Sequence, residues 1–158
     1  AYLEKLSYRA MLTGLYNRNR YIERLEAYKQ VQDQQIGAIY IDLNGLKKVN
    51  DEQGHRAGDE LIVRAAGTIA GIFAEDAYRV GGDEFVVILL DVSREEFARK
   101  TEQLRRQMQK NSVDASIGGV WQASTENLEN LLRRADENMY REKKRYYSQA
   151  DAARKPES

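Results

Sequence analysis

The segment Gly81-Gly82-Asp83-Glu84 constrains this chain more than any other stretch. It separates two short apolar runs, Ala77 to Val80 and Phe85 to Leu90. A glycine-containing turn between two such runs reads as a β-hairpin, so the two strands are antiparallel neighbours. A third run, Ile36 to Ile41, is apolar at nearly every position, as expected of a strand buried on both faces, and it ends in Asp42. Asp114 to Trp121 reads as a fourth strand, with Gly118-Gly119 inside it as a candidate bulge.

Helical patterns fill the rest. One helix is expected from about Asn17 to Gln34, with Tyr21, Leu25 and Tyr28 on one face. The polar stretch Leu46 to Asp51 reads as a second, entered through Gly45. Leu61, Ala65, Ile69 and Phe73 recur every four residues and mark the clearest amphipathic helix. Ser93-Arg94-Glu95-Glu96 is a capping box that opens another, with Phe97, Leu104 and Met108 on its buried face. A last helix is expected from about Glu126, with Leu128, Leu131, Leu132, Ala135 and Met139 inward, turning basic at Arg141, Lys143, Lys144 and Arg145. Residues 1–11 carry Leu3, Leu6 and Ala10 at helical spacing. They are the end of a linker helix, either a coiled-coil tail or an ordinary helix. Residues 149–158, with the only proline, Pro156, are expected to be a disordered tail. Strands joined by both a hairpin and helical crossovers make an α+β sandwich with helices on a mixed or antiparallel sheet.

Composition removes several classes of function. The chain has 158 residues, the length of one domain, and no cysteine, which excludes a disulfide scaffold, a Cys-ligated metal and a thiol nucleophile. With one histidine, His55, a site built on several imidazoles is also excluded. Twenty-five Lys and Arg balance 25 Asp and Glu, which argues against a polyanion-binding surface and hence against nucleic acid as partner. No apolar run approaches the roughly 18 residues that span a membrane. The chain begins at Ala1 and reads as a fragment of something longer, with the cytoplasm as its expected compartment and no membrane contact of its own.

What remains is carboxylate chemistry. Asp42 ends a buried strand, and Asp83 and Glu84 sit in a turn cleared of bulk by two glycines. If the two strands are neighbours, three carboxylates meet at one end of the sheet. Such a cluster suits hard, oxygen-preferring cations such as Mg²⁺, which serve phosphoryl and nucleotidyl transfer. On spacing alone, a metal site and a solvated hairpin tip both stay open. Lys47, Lys48 and Lys143 are either phosphate contacts or surface charges. Asn50 and Asp59 suit the hydrogen-bonding edge of a guanine, or are turn and cap residues; His55 reads first as a structural hydrogen-bonder.

Four ordered segments decide among these. Arg79-Val80-Gly81-Gly82-Asp83-Glu84-Phe85 resembles the signature of the GGDEF family of diguanylate cyclases. Leu12-Thr13-Gly14-Leu15-Tyr16-Asn17-Arg18 resembles its N-terminal motif. Asp42-Leu43-Asn44-Gly45-Leu46-Lys47-Lys48-Val49-Asn50-Asp51, with Gly54-His55 and Gly58-Asp59, resembles its metal and guanine segment. Ala135-Asp136, Met139-Tyr140 and Lys143 resemble its last helix. The resemblance implies a GGDEF domain over residues 12–148 with a five-stranded, mainly antiparallel central sheet surrounded by helices, like the palm of nucleotidyl cyclases, with a ferredoxin-like core. It implies that two protomers, each with one GTP, join them into cyclic di-GMP and release two pyrophosphates. Asp42, the Leu43 carbonyl, Asp83 and Glu84 would hold Mg²⁺, with Mn²⁺ an alternative. Asp83 would also take the proton, Glu84 would lie beside the 3′-hydroxyl, and Lys47 would stabilise the transferring phosphate. Gly45, Leu46, Asn50, His55, Asp59 and Lys143 would bind GTP, Asn50 and Asp59 at guanine and Lys143 at phosphate. A homodimer and an upstream sensor domain in the full-length chain are the implied partners.

The chain departs from the family pattern at identifiable positions. Ala10 stands where an Asp is usual, and Tyr146-Tyr147-Ser148 where Gly-Arg-Asn is usual, so one phosphate-binding arginine is absent. Arg145 is the nearest substitute. Ile72 and Glu75 stand at the Arg and Asp of the usual product-inhibition site, so no product binding is expected there. Asp59, where members that make mixed dinucleotides carry Ser, implies guanine at both sites. The intact turn acids favour an active cyclase; Tyr147 favours a GTP-binding regulatory module of weak turnover.

Overall fold

The computed structural model describes residues 9–154. Its centre is a four-stranded sheet in the order β2-β3-β1-β4, with β1 Ile36–Leu43, β2 Ala77–Arg79, β3 Glu84–Leu90 and β4 Ala115–Gln122. Every pairing is antiparallel. The hairpin and the two other apolar runs account for all four strands. The fifth strand implied by the family resemblance is not found among the described residues. The helices are α1 Arg18–Lys29, α2 Leu46–Gln53, α3 His55–Phe73, α4 Arg94–Lys110 and α5 Leu128–Arg154. This is an α+β fold with helices packed on an antiparallel sheet.

Strand β1 is apolar up to Asp42 because both faces of the sheet are covered. Successive side chains alternate sides. Ile39, Ile41 and Leu43 pack with Leu61, Ala65 and Ile69 of α3 and with Phe97, Leu104 and Met108 of α4. Ile36 and Ala38 pack on the other side with Leu128, Leu131 and Ala135 of α5, and Tyr21 and Leu25 of α1 flank them. The Ser93 cap forms as expected, its Oγ accepting from the Glu96 N–H at 3.1 Å.

Four expectations are corrected. Gly118-Gly119 is not a bulge: the register with β1 runs unbroken through Tyr40↔Gly118 and Ile39↔Gly119. Gly118 is there because α5 lies against the strand, and a Cβ on it would meet Met139 N at 2.1 Å. Helix α1 stops at Lys29, short of Gln34, and the chain turns through Asp33 at φ 56°. Helix α5 continues to Arg154, so residues 149–154 are helical rather than part of a disordered tail. Residues 9–11 are not the expected helix end: Arg9 bridges Tyr16 and a turn begins at Met11; Leu3, Leu6 and Pro156 lie outside the described residues. No helix among the described residues is long and apolar enough to cross a membrane.

On the side away from β1, the free edge of β4 is capped. Glu142 of α5 accepts from the Ile117 N–H at 3.2 Å, and Arg105 of α4 donates to the Ile117 carbonyl at 3.1 Å. Arg105 and Glu142 also form a two-pronged ion pair at 2.7 and 3.0 Å. The pairing sets the rotation of α5 one residue before Lys143.

Candidate active site

The register of β1 with β3 places Asp42 opposite Glu84. Past the last strand pair, the Leu43 N–H donates to the Asp83 carbonyl at 3.0 Å, which carries the ladder into the turn. Arg79 closes the turn from the other side, donating from Nε to the Gly81 carbonyl at 3.2 Å and from Nη2 to the Gly82 carbonyl at 2.8 Å. One carboxylate oxygen each from Asp42, Asp83 and Glu84 therefore lies within 4.8 Å of the others. Asp42 is buried, Asp83 half-buried and Glu84 exposed, so the cluster opens to solvent along the turn.

Such crowding is costly without a cation. Burial pushes the Asp42 carboxyl up to about 6, and the charges of Asp83 and Glu84 push the same way. Lys143 opposes them. Its ammonium sits 3.0 Å from Asp42 Oδ1 and donates to the Leu43 carbonyl at 3.3 Å. Among the described residues no hydrogen-bond donor is aligned on the buried Asp42 Oδ1, so Lys143 meets it as a counter-charge. The donor set is all hard oxygen, which fits Mg²⁺ or Mn²⁺ and not a soft metal.

The loop after β1 is held by a buried network. Ser116 Oγ donates to Asn44 Oδ1 at 2.9 Å, and Asn44 Nδ2 donates to Asp114 Oδ1 at 2.9 Å. Gly45 follows at φ 74° as the N-cap of α2, with no side chain capping that end. Leu46 and Lys47 form its first turn, Lys47 exposed. A cleft of about 380 Å³ opens here between α2 and α5, lined by Gly45, Lys47, Lys48, Asp51, Tyr146 and Tyr147. A larger hollow of about 540 Å³ lies by Lys29 and Thr125, beyond the opposite end of β1 and away from the carboxylates.

The family model described as "Diguanylate cyclase, GGDEF domain" matches residues 8–149. This chain belongs to the GGDEF family. It is 32% identical over 156 residues to diguanylate cyclase DgcS of Shewanella oneidensis, covering 89% of this chain and 52% of that protein. It is 34% identical over 139 residues to the probable diguanylate cyclase DgcJ of Escherichia coli, covering 82% of this chain and 28% of that one. The chain thus spans about half or less of the length of these relatives. Among solved structures it is similar to the GGDEF domain of DgcB from Caulobacter crescentus in complex with c-di-GMP: TM-score 0.74, 26% identity, 87% of this chain and 90% of that one.

The GGDEF fold brings some of the expected residues together and leaves others apart. Asp42, the Leu43 carbonyl, Asp83, Glu84 and Lys143 meet at one end of the sheet. Lys143, expected at a phosphate, rests here on two oxygens expected to hold the metal. Asn50 lies late in α2 and packs against Gly58 of α3, where a Cβ would fall 1.7 Å from its Oδ1. That oxygen is buried and has no donor among the described residues. His55 and Asp59 are exposed on the first turns of α3. Of the departures, Tyr146 lies over Gly45, with its hydroxyl 2.9 Å from where a Gly45 Cβ would be, and Tyr147 is exposed beside it. Arg145 is exposed. Glu75 is engaged by Arg9 at 3.0 Å.

Arg79, Asn44, Ser116, Asp114 and the Arg105–Glu142 pair were not singled out as site residues by sequence reasoning. Arg79 carried a visible signal, an arginine two residues before a Gly-Gly turn whose carbonyls need donors. The others are joined across 70 or 72 residues for the Asn44 network and 37 for the ion pair, and no local pattern announces them.

Proposed function

We propose that this domain is a diguanylate cyclase that condenses two GTP molecules into cyclic di-GMP, each GTP held by one of two facing protomers. The observation that carries the reading is the meeting of Asp42, Asp83 and Glu84 at a turn closed by Arg79, with Asn50 Oδ1 on α2 buried and unpaired among the described residues. An unpaired buried acceptor costs about 1–3 kcal/mol, and a guanine N–H satisfies it.

Asp42, Asp83, Glu84 and the Leu43 carbonyl would hold Mg²⁺. The ion would supply positive charge against the triphosphate and the charge developing on it. The chain's own residues do the rest. The N–H groups of Leu46 and Lys47, at the start of α2, face the phosphates, and the Lys47 ammonium neutralises the transferring group. Asp59 and Asn50 orient the guanine, with His55 in the same segment. Asp83 accepts the proton of the 3′-hydroxyl as that oxygen bonds to the partner GTP's α-phosphorus; the bond to pyrophosphate breaks. Done twice, this closes the ring and releases two pyrophosphates. Because each protomer brings one GTP, the active unit is a dimer, which need only be transient. An upstream segment of a longer chain would raise activity by raising effective concentration. On this reading residues 12–148 are the cyclase domain, and the domain works in the cytoplasm.

Tyr147 favours a second reading, a GTP-binding regulatory module with weak turnover. One experiment separates them: cyclic di-GMP and pyrophosphate quantified from GTP and Mg²⁺ at several protein concentrations, for wild type and Asp83→Asn. A specific rate that climbs with protein concentration and vanishes in Asp83→Asn establishes the cyclase. GTP binding without product at any concentration establishes the regulatory module.

A further inference from the structure

The Lys143 ammonium touches two oxygens of the acidic end of the sheet, Asp42 Oδ1 at 3.0 Å and the Leu43 carbonyl at 3.3 Å. Both belong to β1, and Asp42 is one of the three carboxylates that cluster with Asp83 and Glu84. The contact is shielded: the Lys143 side chain is 16% exposed and that of Asp42 10%. It is also aimed. Gly118 lets α5 lie directly on β4, and Glu142, the preceding residue, is pinned by Arg105 and the Ile117 N–H. An ammonium and a divalent ion cannot take the same two oxygens at once, since at these distances their charges repel strongly in a shielded site.

We propose that Lys143 is a built-in competitor for the cation site, holding Asp42 Oδ1 and the Leu43 carbonyl until a divalent ion displaces it. The inference rests on the proposed reading of the acidic cluster as a cation site, but not on cyclase turnover. Lysine suits the part, with a compact charge on a flexible stem that exchanges partners easily. The ammonium already lies 5.7 Å from the Tyr147 ring, on the side of the cleft near Gly45, so leaving the two oxygens needs only a closer approach to that ring. The tyrosine that replaces the family's arginine thus gives the displaced ammonium somewhere to go.

The test is a Mn²⁺ titration of the whole, nucleotide-free chain by calorimetry at pH 8.5, where protons compete little for the carboxylates. Wild type is compared with Lys143→Met, Lys143→Gln and Lys144→Met. Lys144 loses the same charge from the next position, where its ammonium lies over the Tyr140 ring instead. Both Lys143 variants are expected to bind Mn²⁺ about tenfold tighter than wild type, because a pair this shielded outweighs an exposed one. Lys144→Met is expected to change the affinity by less than about twofold. Unchanged or weaker binding in the Lys143 variants overturns the proposal, as does an equal gain in Lys144→Met or no Mn²⁺ binding by any of the proteins. If wild type makes no cyclic product while the Lys143 variants bind Mn²⁺ more tightly, the cyclase reading fails and this inference stands.

Discussion

Replacing Gly118 by alanine tests how Lys143 is delivered to the site. The added Cβ would sit 2.1 Å from Met139 N, 2.4 Å from the Ala135 oxygen and 2.7 Å from the Asn138 carbonyl carbon. All three are backbone atoms, so no side chain can turn aside to relieve the clash. Ordinary contact needs about 3.5 Å, so α5 must withdraw by roughly 1 Å. A gap of that size forfeits about a quarter to a half of the contact energy across it. Leu128, Leu131, Ala135 and Met139 are the residues that α5 buries. Fully buried, such a set contributes roughly 5–9 kcal/mol, so the expected loss is about 2–4 kcal/mol.

At this chain length that loss lowers the melting temperature by roughly 5–15 °C. Gly119→Ala is the control. Its Cβ would meet side chains and not backbone at its nearest contacts, the Phe97 ring at 3.3 and 3.5 Å and Thr101 Cγ2 at 3.7 Å, and the ring can give. The expected cost there is under about 1 kcal/mol. Thermal and urea melts of the two variants check the contrast. A Gly118→Ala melt within about 2 °C of wild type, or equal losses in both variants, would refute the claim that backbone approach dictates this glycine.

Gly58→Ala displaces the Asn50 amide, which lies within 1.7 Å of the new Cβ. As the end of a flexible side chain it can move at little cost, so stability should hold while KM for GTP rises roughly tenfold, the worth of one lost hydrogen bond; an unchanged KM would sink the guanine assignment. Asp42 should titrate near 6 in cation-free protein, followed by carbon-detected NMR. Its folded value lies above the ordinary carboxylate value of about 3.9, so its stabilising contribution is full below that pH and is lost as pH rises through about 6. Lys143→Met should raise the value further, since the ammonium holds it down; a value near 4, or a fall in the variant, contradicts the burial argument.

The hairpin shows how much was legible along the chain. Gly81 to Glu84 between two apolar runs could form only an antiparallel pair, and the strand pairings follow. Ser93 announced a helix start for an equally local reason: its hydroxyl meets a backbone N–H three residues on. Gly118-Gly119 misled because a glycine pair inside a strand has two causes, a bulge or a close neighbour. The neighbour here is α5, which enters the sequence only after Gln122. Helix α5 outran its expected end because polar residues after Lys143 carry no apolar stripe, so their sequence does not distinguish helix from tail.

The sequence by itself determined the chemistry available to this protein. No cysteine and one histidine leave oxygen as the metal donor, and the Asp42, Asp83 and Glu84 motifs supply it. Local patterns also determined which segments are strands and helices, since periodicity and turn residues act over a few positions. Only the tertiary structure decided what Lys143 touches, why Gly118 is glycine, and that Asn44 is anchored by Ser116 and Asp114. Those contacts join residues far apart in the chain, 100 positions for Lys143 and the Leu43 carbonyl. They exist because a sheet covered on both faces brings the ends of β1, β3, β4 and α5 to one place, a packing outcome with no signature in any single stretch of residues.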